Sequence, residues 1–272
     1  MNVADALRVA TAQCATISDT PWLDAELLLA HALGLSRGDM LMRQHDLDVP
    51  ADFAELVARR CTGEPVAYII GTRDFWTISL AVTPAVLIPR PDSETLIEAA
   101  VEHFADRAPA RVLDLGTGSG ALLLAALAQW QDARGLGVDA SPAALAVAQG
   151  NAERIGLAER AAFRMGNWAQ GIEGPFDLIL INPPYIAHSF MLTGDVLHEP
   201  DTALYAGEEG LDDYRRFIPD LPRLIAPGGV AAIEIGYDQR SSVSDLLQGA
   251  GLAVRARSDL AGHDRCLVVT HR

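Results

Sequence analysis

Lysine is absent: all 21 basic residues of this 272-residue chain are arginine. No chemistry here can run through a lysine Schiff base or a lysine nucleophile. Positive charge is also in the minority, with 21 Arg against 36 Asp and Glu and a formal net charge of −15. A chain this acidic lacks the general electrostatic footprint of a nucleic-acid binder, although a local arginine patch stays open. A protein partner with a basic surface fits the charge better. Cysteine is scarce: Cys14, Cys61 and Cys266 are far apart in the chain, odd in number and without metal spacing. Buried free thiols in a reducing compartment are therefore expected, not a disulfide framework or a metal site. No uninterrupted apolar stretch reaches transmembrane length and the start lacks a signal-peptide pattern, so a cytoplasmic protein with no membrane partner is expected. The oligomeric state is not written in the sequence, and a monomer is favoured. With 50% hydrophobic and 21% charged residues, the chain suits a globular protein of one large or two smaller domains.

What is present is most telling at Asn182-Pro183-Pro184-Tyr185, directly after the apolar run Phe176-Asp177-Leu178-Ile179-Leu180-Ile181. The run is short, rich in branched aliphatics and stopped by proline, which predicts a buried strand. The tetrapeptide then falls at the carboxyl end of that strand, where open α/β sheets bind their ligands. Two successive prolines make a stiff turn that cannot continue the sheet. Such a turn holds Asn182 and two backbone carbonyls as fixed acceptors beside an aromatic face. These parts suit a planar NH2 group, with its two protons bonded to acceptors and Tyr185 packed against its plane.

Upstream, Arg111-Val112-Leu113-Asp114-Leu115 reads as a strand running into Gly116-Thr117-Gly118-Ser119-Gly120 and then a helical run from Ala121 to Trp130. Glycines let a ligand approach the backbone, and a helix start offers N–H groups and partial positive charge. The next strand, Gly135-Leu136-Gly137-Val138, ends at Asp139, 23 residues after Gly116. An acidic residue at about that distance, ~20 residues on, is placed to accept from ribose hydroxyls. The pattern indicates an adenosine cofactor without saying which. Gly116, Gly118 and Ala121 also satisfy the dinucleotide fingerprint, so nicotinamide cofactors stay open at this point.

Taken in order, the glycine loop, Val138-Asp139-Ala140-Ser141, Asn167-Trp168 and Asn182-Pro183-Pro184-Tyr185 resemble the motif set of class I S-adenosylmethionine-dependent methyltransferases that modify planar amino groups. Gly63-Glu64-Pro65-Val66-Ala67-Tyr68-Ile69-Ile70-Gly71, Asp74-Phe75-Trp76 and Leu87-Ile88-Pro89-Arg90-Pro91-Asp92-Ser93-Glu94 narrow the match. So do Asp24-Ala25-Glu26-Leu27-Leu28-Leu29 near the start and Asp259-Leu260-Ala261-Gly262-His263-Asp264-Arg265 near the end. Together they resemble the PrmC/HemK family, over nearly the whole chain. The resemblance implies methylation of a glutamine side-chain amide in the Gly-Gly-Gln motif of peptide chain release factors, with S-adenosylmethionine as cofactor. A second use of the same tetrapeptide is methylation of adenine in DNA or RNA. The net charge and the N-terminal helices weigh against it. A catalytically silent adaptor and a nicotinamide oxidoreductase fit less well, because the first ignores intact motifs and the second leaves the tetrapeptide unexplained.

The fold class expected is α/β: a doubly wound, mainly parallel seven-stranded sheet, Rossmann-like, with a small N-terminal helical domain and a β-hairpin connector. Alternating strand and helix patterns from residue 111 predict the parallel sheet. Expected strands are 111–115, 135–139, 161–165, 176–181 and 229–235, with apolar runs at 252–256 and 266–270. Expected helices are 119–131, 141–155 (capped by Ser141, with Pro142 first), one near 211–226, and 238–249. The last two strands resemble the reversed closing strand of class I methyltransferases. Residues 1–70 read as helical, with Pro21 opening one helix that ends at Gly34 and another spanning Ala51 to Cys61. The resemblance makes this the substrate-recognition domain, followed by a connector at 71–90 and the methyltransferase domain at 91–272.

Within the site, Asn182, Pro183 and Tyr185 are the expected catalytic residues, and Asn182, Pro183, Pro184 and Tyr185 the substrate contacts. Gly116, Thr117, Gly118, Ser119, Gly120, Asp139, Asn167, Trp168 and Asn182 are expected around the cofactor. Thr117 and Ser119 have two readings of equal weight, a bond to the cofactor carboxylate or a helix cap. Asn167 departs from the family, which more often has aspartate there. It keeps an acceptor oxygen but loses the charge. Asp114 is expected to shape the glycine loop, and Arg90 is left outside the site because an internal carboxylate is an equal partner for it. His188 and His198 read as solvated loop residues. The family usually has arginine near His198, so no substrate contact is carried over from there.

Overall fold

The computed structural model describes residues 2–272. The chain divides into two compact units, Met1–Thr72 with Leu192–His198, and Arg73–Met191 with Glu199–Arg272.

The smaller unit is helical: α1 (Val3–Cys14), α2 (Pro21–Ala32), α3 (Arg37–Met42), α4 (Phe53–Cys61) and α5 (Val66–Ile70). Asn2 caps α1 by accepting from the Asp5 N–H at 2.8 Å. Pro21 opens α2 as expected, where a missing N–H costs no helical bond. Helix α4 starts at Phe53, two residues later than Ala51. Leu7 and Ala10 of α1, Leu28 and Leu29 of α2, and Phe53 and Val57 of α4 meet in one buried cluster. Arg60 is buried in this unit between two carboxylates. Its Nε donates to Asp24 and its Nη1 to Asp195, both at 2.7 Å. That second bond ties segment 192–198 to the helices. The three cysteines are free thiols, Cys14 and Cys266 buried and Cys61 half-buried. Distance along the chain proves misleading for two of them, since the Cys14 and Cys61 sulfurs lie 3.9 Å apart.

Strands β1 (Thr72–Phe75) and β2 (Ile78–Ala81) form a two-stranded sheet. The larger unit then runs through α6 (Glu94–Phe104), β3 (Arg111–Leu115), α7 (Ala121–Gln129), β4 (Arg134–Asp139), α8 (Pro142–Arg154), β5 (Ala161–Met165) and β6 (Phe176–Ile181). It continues with α9 (Asp212–Phe217), α10 (Leu221–Leu224), β7 (Ile225–Glu234), α11 (Arg240–Gly249), β8 (Leu252–Ser258) and β9 (Asp264–His271). The seven-stranded sheet has the order β5-β4-β3-β6-β7-β9-β8. The first five are parallel and β9 runs antiparallel to both neighbours, which is the expected sheet with its reversed closing strand.

Both faces are covered, and the strands show it by strict alternation. Val112, Leu178, Leu180, Val230 and Ala232 join Leu96, Leu123 and Leu124 in one buried cluster. Leu113, Leu115, Ile179, Ile181, Ala231 and Ile233 join Tyr214, Phe217 and Leu221 in the other. At roughly 1.5–3 kcal/mol per fully buried large aliphatic side chain, these two layers hold the sheet together.

Two expected elements differ. The helix near 211–226 is broken into α9, a 3-10 turn at Ile218–Asp220 and α10. Pro219 and Pro222 lack the N–H that an unbroken helix needs. Strand β7 begins at Ile225, ahead of the expected 229, because Ile225 pairs with Phe176 before a register shift lets Val230 pair with Leu178. No helix among the described residues is long and apolar enough to cross a membrane.

Asn151 on α8 is fully buried and ties three segments together. Its Nδ2 donates to the carbonyls of Ala81 and Ser119, and its Oδ1 accepts from the Ala81 N–H. Replacing it by alanine strands the buried Ser119 carbonyl and two half-buried backbone groups of Ala81, at on the order of 1–3 kcal/mol for a buried group left unpaired and less where water can reach. Asn151→Ala should lower the unfolding free energy by about 2–4 kcal/mol in urea titrations. An unchanged midpoint would remove this residue from the scaffold of the glycine loop.

Candidate active site

Leu115 pairs with Val138 on one side and Ile181 on the other, so β3 and β6 end level and β4 runs one residue further, to Asp139. The next residues along each strand are Gly116, Asp139 and Asn182. They emerge side by side where the strand order reverses, the place open α/β sheets reserve for ligands.

The glycine loop is held from below. Thr117 Oγ1 donates to Asp114 Oδ2 at 2.6 Å, and the Leu123 N–H donates to the same oxygen at 3.3 Å. Asp114 thus shapes the loop. Its other oxygen is buried without a partner, and burial pushes the carboxyl up from 3.8 to about 7. Gly116 has φ +74°, a left-handed backbone that favours glycine, and a Cβ there would just touch the Trp168 ring at 3.4 Å. Asp139 is itself fixed by two backbone donors, Gly118 N–H at 2.8 Å on Oδ2 and Ser141 N–H at 2.9 Å on Oδ1. Each carboxylate oxygen keeps a second acceptor site. Ser141 caps α8 through Ala144 N–H, as expected.

Trp168 adopts φ +53°, a left-handed conformation uncommon for a bulky residue. Its Nε1 donates to Asp213 at 3.0 Å and its ring packs on Phe217 with centroids 5.1 Å apart. These contacts aim the indole over Gly116.

Behind the tetrapeptide lies a buried polar network. Asn182 Nδ2 donates to Ser93 Oγ at 3.1 Å, and Ser93 Oγ donates in turn to Glu234 Oε2. The Tyr185 hydroxyl reaches Glu234 Oε1 at 3.4 Å. Gln239 holds the Tyr185 carbonyl at 3.0 Å and the Gly210 carbonyl at 3.1 Å. Glu234 is 1% exposed, and burial outweighs its hydrogen bonds and the Arg265 charge, pushing its carboxyl up to about 7. Burial also raises the Tyr185 phenol, with the Glu234 charge adding to it. A phenol so placed is a packing and hydrogen-bonding surface, not a base at neutral pH.

A cavity of about 370 Å³ brings Gly116, Gly118, Asp139, Asn167, Trp168, Asn182 and Pro184 together. Leu87, Val138, Ala140, Ala144, Tyr205 and Asp213 complete much of its wall. Thr117, Ser119, Gly120, Pro183 and Tyr185 do not line it. The Thr117 hydroxyl is turned onto Asp114, and Ser119 is buried with its carbonyl bonded to Asn151. Among the described residues, neither Asn182 Oδ1 nor the Pro183 carbonyl receives a hydrogen bond, and no cluster of His, Cys, Asp and Glu could hold a metal. Arg90 pairs with the buried Glu199, an internal carboxylate. His188 and His198 are exposed.

Sequence reasoning missed Glu234, Ser93, Gln239 and Asp213. Glu234 had a readable signal: a carboxylate closing the apolar run Ala231-Ala232-Ile233 at a strand's carboxyl end. Ser93 lay within the Pro91-Asp92-Ser93-Glu94 segment.

The sheet order, the glycine loop and Asp139 define a class I methyltransferase fold. A methyltransferase from Pyrococcus furiosus shares it, with a TM-score of 0.55 at 16% identity over 79% of this chain and 97% of that one. The PrmC N-terminal domain model matches residues 5–71 and the methyltransferase small domain model residues 92–205. A release factor glutamine methyltransferase from Rhodospirillum rubrum is 44% identical over 93% of this chain and 80% of its own. One from Caulobacter vibrioides is 41% identical, over 92% and 89%. The chain belongs to the release factor glutamine methyltransferase family.

Asp114 gives a test of the loop's electrostatics. Its carboxyl ionises near 7 in the fold against 3.8 ordinarily, so the folded state holds a proton that the unfolded state releases between these values. Stability from this group therefore falls as pH rises through that window. Asp114→Asn keeps an acceptor for Thr117 and Leu123 without the buried charge. Its unfolding free energy relative to wild type should rise between about pH 4 and 7 and level off above. A pH-independent difference would refute the buried-charge account.

Proposed function

We propose that this protein transfers a methyl group from S-adenosylmethionine to the side-chain amide nitrogen of the glutamine in the Gly-Gly-Gln motif of peptide chain release factors. The observation that carries it is one cavity uniting the glycine wall, Asp139 and an Asn182 whose nitrogen is already bonded inward, leaving its oxygen as acceptor.

The residues fit this cofactor. Gly116 and Gly118 present a wall without side chains, Asp139 is held ready for ribose hydroxyls, and Val138, Ala140, Ala144 and Trp168 offer apolar surface to a planar base. Asn167, exposed at the same wall, supplies an uncharged acceptor. Thr117, Ser119 and Gly120 act by shaping the loop. When bound, S-adenosylmethionine supplies a methyl on a sulfonium, which needs no further activation. The chain's task is to aim a weak nucleophile, since an amide lone pair is delocalised into its carbonyl. Asn182 Oδ1 and the Pro183 carbonyl accept the two amide protons and hold the nitrogen in line. Both bonds strengthen as positive charge grows on that nitrogen, so they favour the transition state over the ground state. Pro184 stiffens the turn, and Tyr185 packs against the amide plane. The helical unit is read as the release-factor recognition domain, the acidic chain suits a basic protein substrate, and the setting is cytoplasmic.

The substrate class is tested by incubating the protein with labelled S-adenosylmethionine and, separately, release factor, duplex DNA and ribosomal RNA. Label should enter the release factor alone and vanish when the Gly-Gly-Gln glutamine is replaced. Labelled nucleic acid with unlabelled protein would favour adenine methylation instead.

Asn182→Ala should separate binding from chemistry. Loss of one preorganised acceptor should slow transfer by about 100–1,000-fold, by analogy with a deleted oxyanion donor, while calorimetry finds most of the cofactor affinity intact. Turnover near the wild-type rate would overturn the mechanism.

A further inference from the structure

We infer that Glu234 is a positioning residue that acts through Ser93 to hold the Asn182 amide with its oxygen toward the cleft. The inference rests on the reading of Asn182 as the acceptor for the target amide. An asparagine amide can face either way, and the two faces are opposite in chemistry: one accepts and the other donates. The relay decides between them. An ionised carboxylate only accepts, so Ser93 must give its single proton to Glu234 Oε2. The Ser93 oxygen then has only lone pairs to offer Asn182, and only Nδ2 can bond to them, at 3.1 Å. Oδ1 is left facing outward. The other carboxylate oxygen takes the Tyr185 hydroxyl, so one buried group orders two side chains of the tetrapeptide.

Protonation would reverse the relay. A neutral Glu234 can donate to Ser93, Ser93 to Asn182 Oδ1, and the Asn182 NH2 would then face the donors of the incoming amide. Several groups set that balance. Arg265 on β9 favours the anion, while burial and Asp92, on the turn before α6, oppose it. Tyr185 and Ser93 donate to the carboxylate, Tyr214 on α9 donates to the Glu234 backbone carbonyl at 2.9 Å, and Cys266 on β9 is a buried neutral thiol. The carboxyl consequently ionises near 7.

The test compares wild type, Glu234→Gln, Ser93→Ala and Asn182→Ala, measuring release-factor methylation against pH and S-adenosylmethionine affinity by calorimetry. Wild-type kcat should fall as pH drops through about 7. Glu234→Gln, whose amide can donate to Ser93 as readily as accept from it and so no longer fixes the direction of the relay, should lower kcat by about 10–100-fold, flatten that acidic limb and leave cofactor affinity nearly unchanged. Ser93→Ala should flatten the limb too, and a variant carrying both Glu234→Gln and Ser93→Ala should be no slower than the slower single one, because both act on one relay. Wild-type kcat with the acidic limb intact in Glu234→Gln would overturn the inference. Should that variant fail to fold, Ser93→Ala decides alone, and an unaltered limb there is equally fatal. Full activity of Asn182→Ala would instead sink the reading of Asn182, a separate outcome from a slow Asn182→Ala beside an unimpaired Glu234→Gln.

Discussion

The shared register of three neighbouring parallel strands at their carboxyl ends is the constraint on which the site depends. Leu115, Val138 and Ile181 are in register, so the turns that follow them must crowd into one crevice. A one-residue slip of any strand would exchange its two buried faces and carry Asp139 or Asn182 to the wrong side. Alternating burial on both faces makes such a slip expensive. The apolar layers therefore do more than stabilise the sheet: they fix the distance between the glycine wall and the tetrapeptide.

The same fold uses one device twice. Asp114 and Glu234 sit near the ends of β3 and β7, on the side of their strands that faces the α6 and α7 cluster. Each is a buried carboxylate that takes the hydroxyl of a residue from a functional turn: Thr117 for the glycine loop, Ser93 for Asn182. Burial opposes ionisation in both, and the hydroxyl bonds offset part of that cost. A short hydroxyl side chain gripped this way has little freedom, so the turn above it is set by the sheet rather than by its own flexible backbone. The polar groups are costly to bury, and geometric precision is what they supply.

Much of this was legible in the sequence because it depends on local patterns. Strands 111–115, 161–165 and 176–181 fall where apolar runs end at glycine, proline or polar turns, and Ser141-Pro142 marked a helix start. The break of the 211–226 helix was also local, since Pro219 and Pro222 stood in view. Glu234 and Ser93 were harder, being 141 residues apart and meaningful only once the sheet brings them together. The same holds for the inward turn of Thr117, which no spacing rule announces. Segment 192–198 belongs with the helices through Asp195 and Arg60, a pairing across 135 residues.

The arginine-only composition takes on a different meaning in the folded chain. Counting 21 arginines leaves open a basic patch that could hold nucleic acid. Many of these side chains are already engaged internally. Arg60, Arg90 and Arg265 pair with carboxylates, and Arg160 and Arg223 donate to backbone carbonyls that end nearby segments. Guanidinium suits that work because it is planar, always charged and rich in donors, where an ammonium would satisfy fewer acceptors. Charge matched by an internal carboxylate is not available to phosphates. The arginine count alone thus overstates the positive charge open to a polyanion.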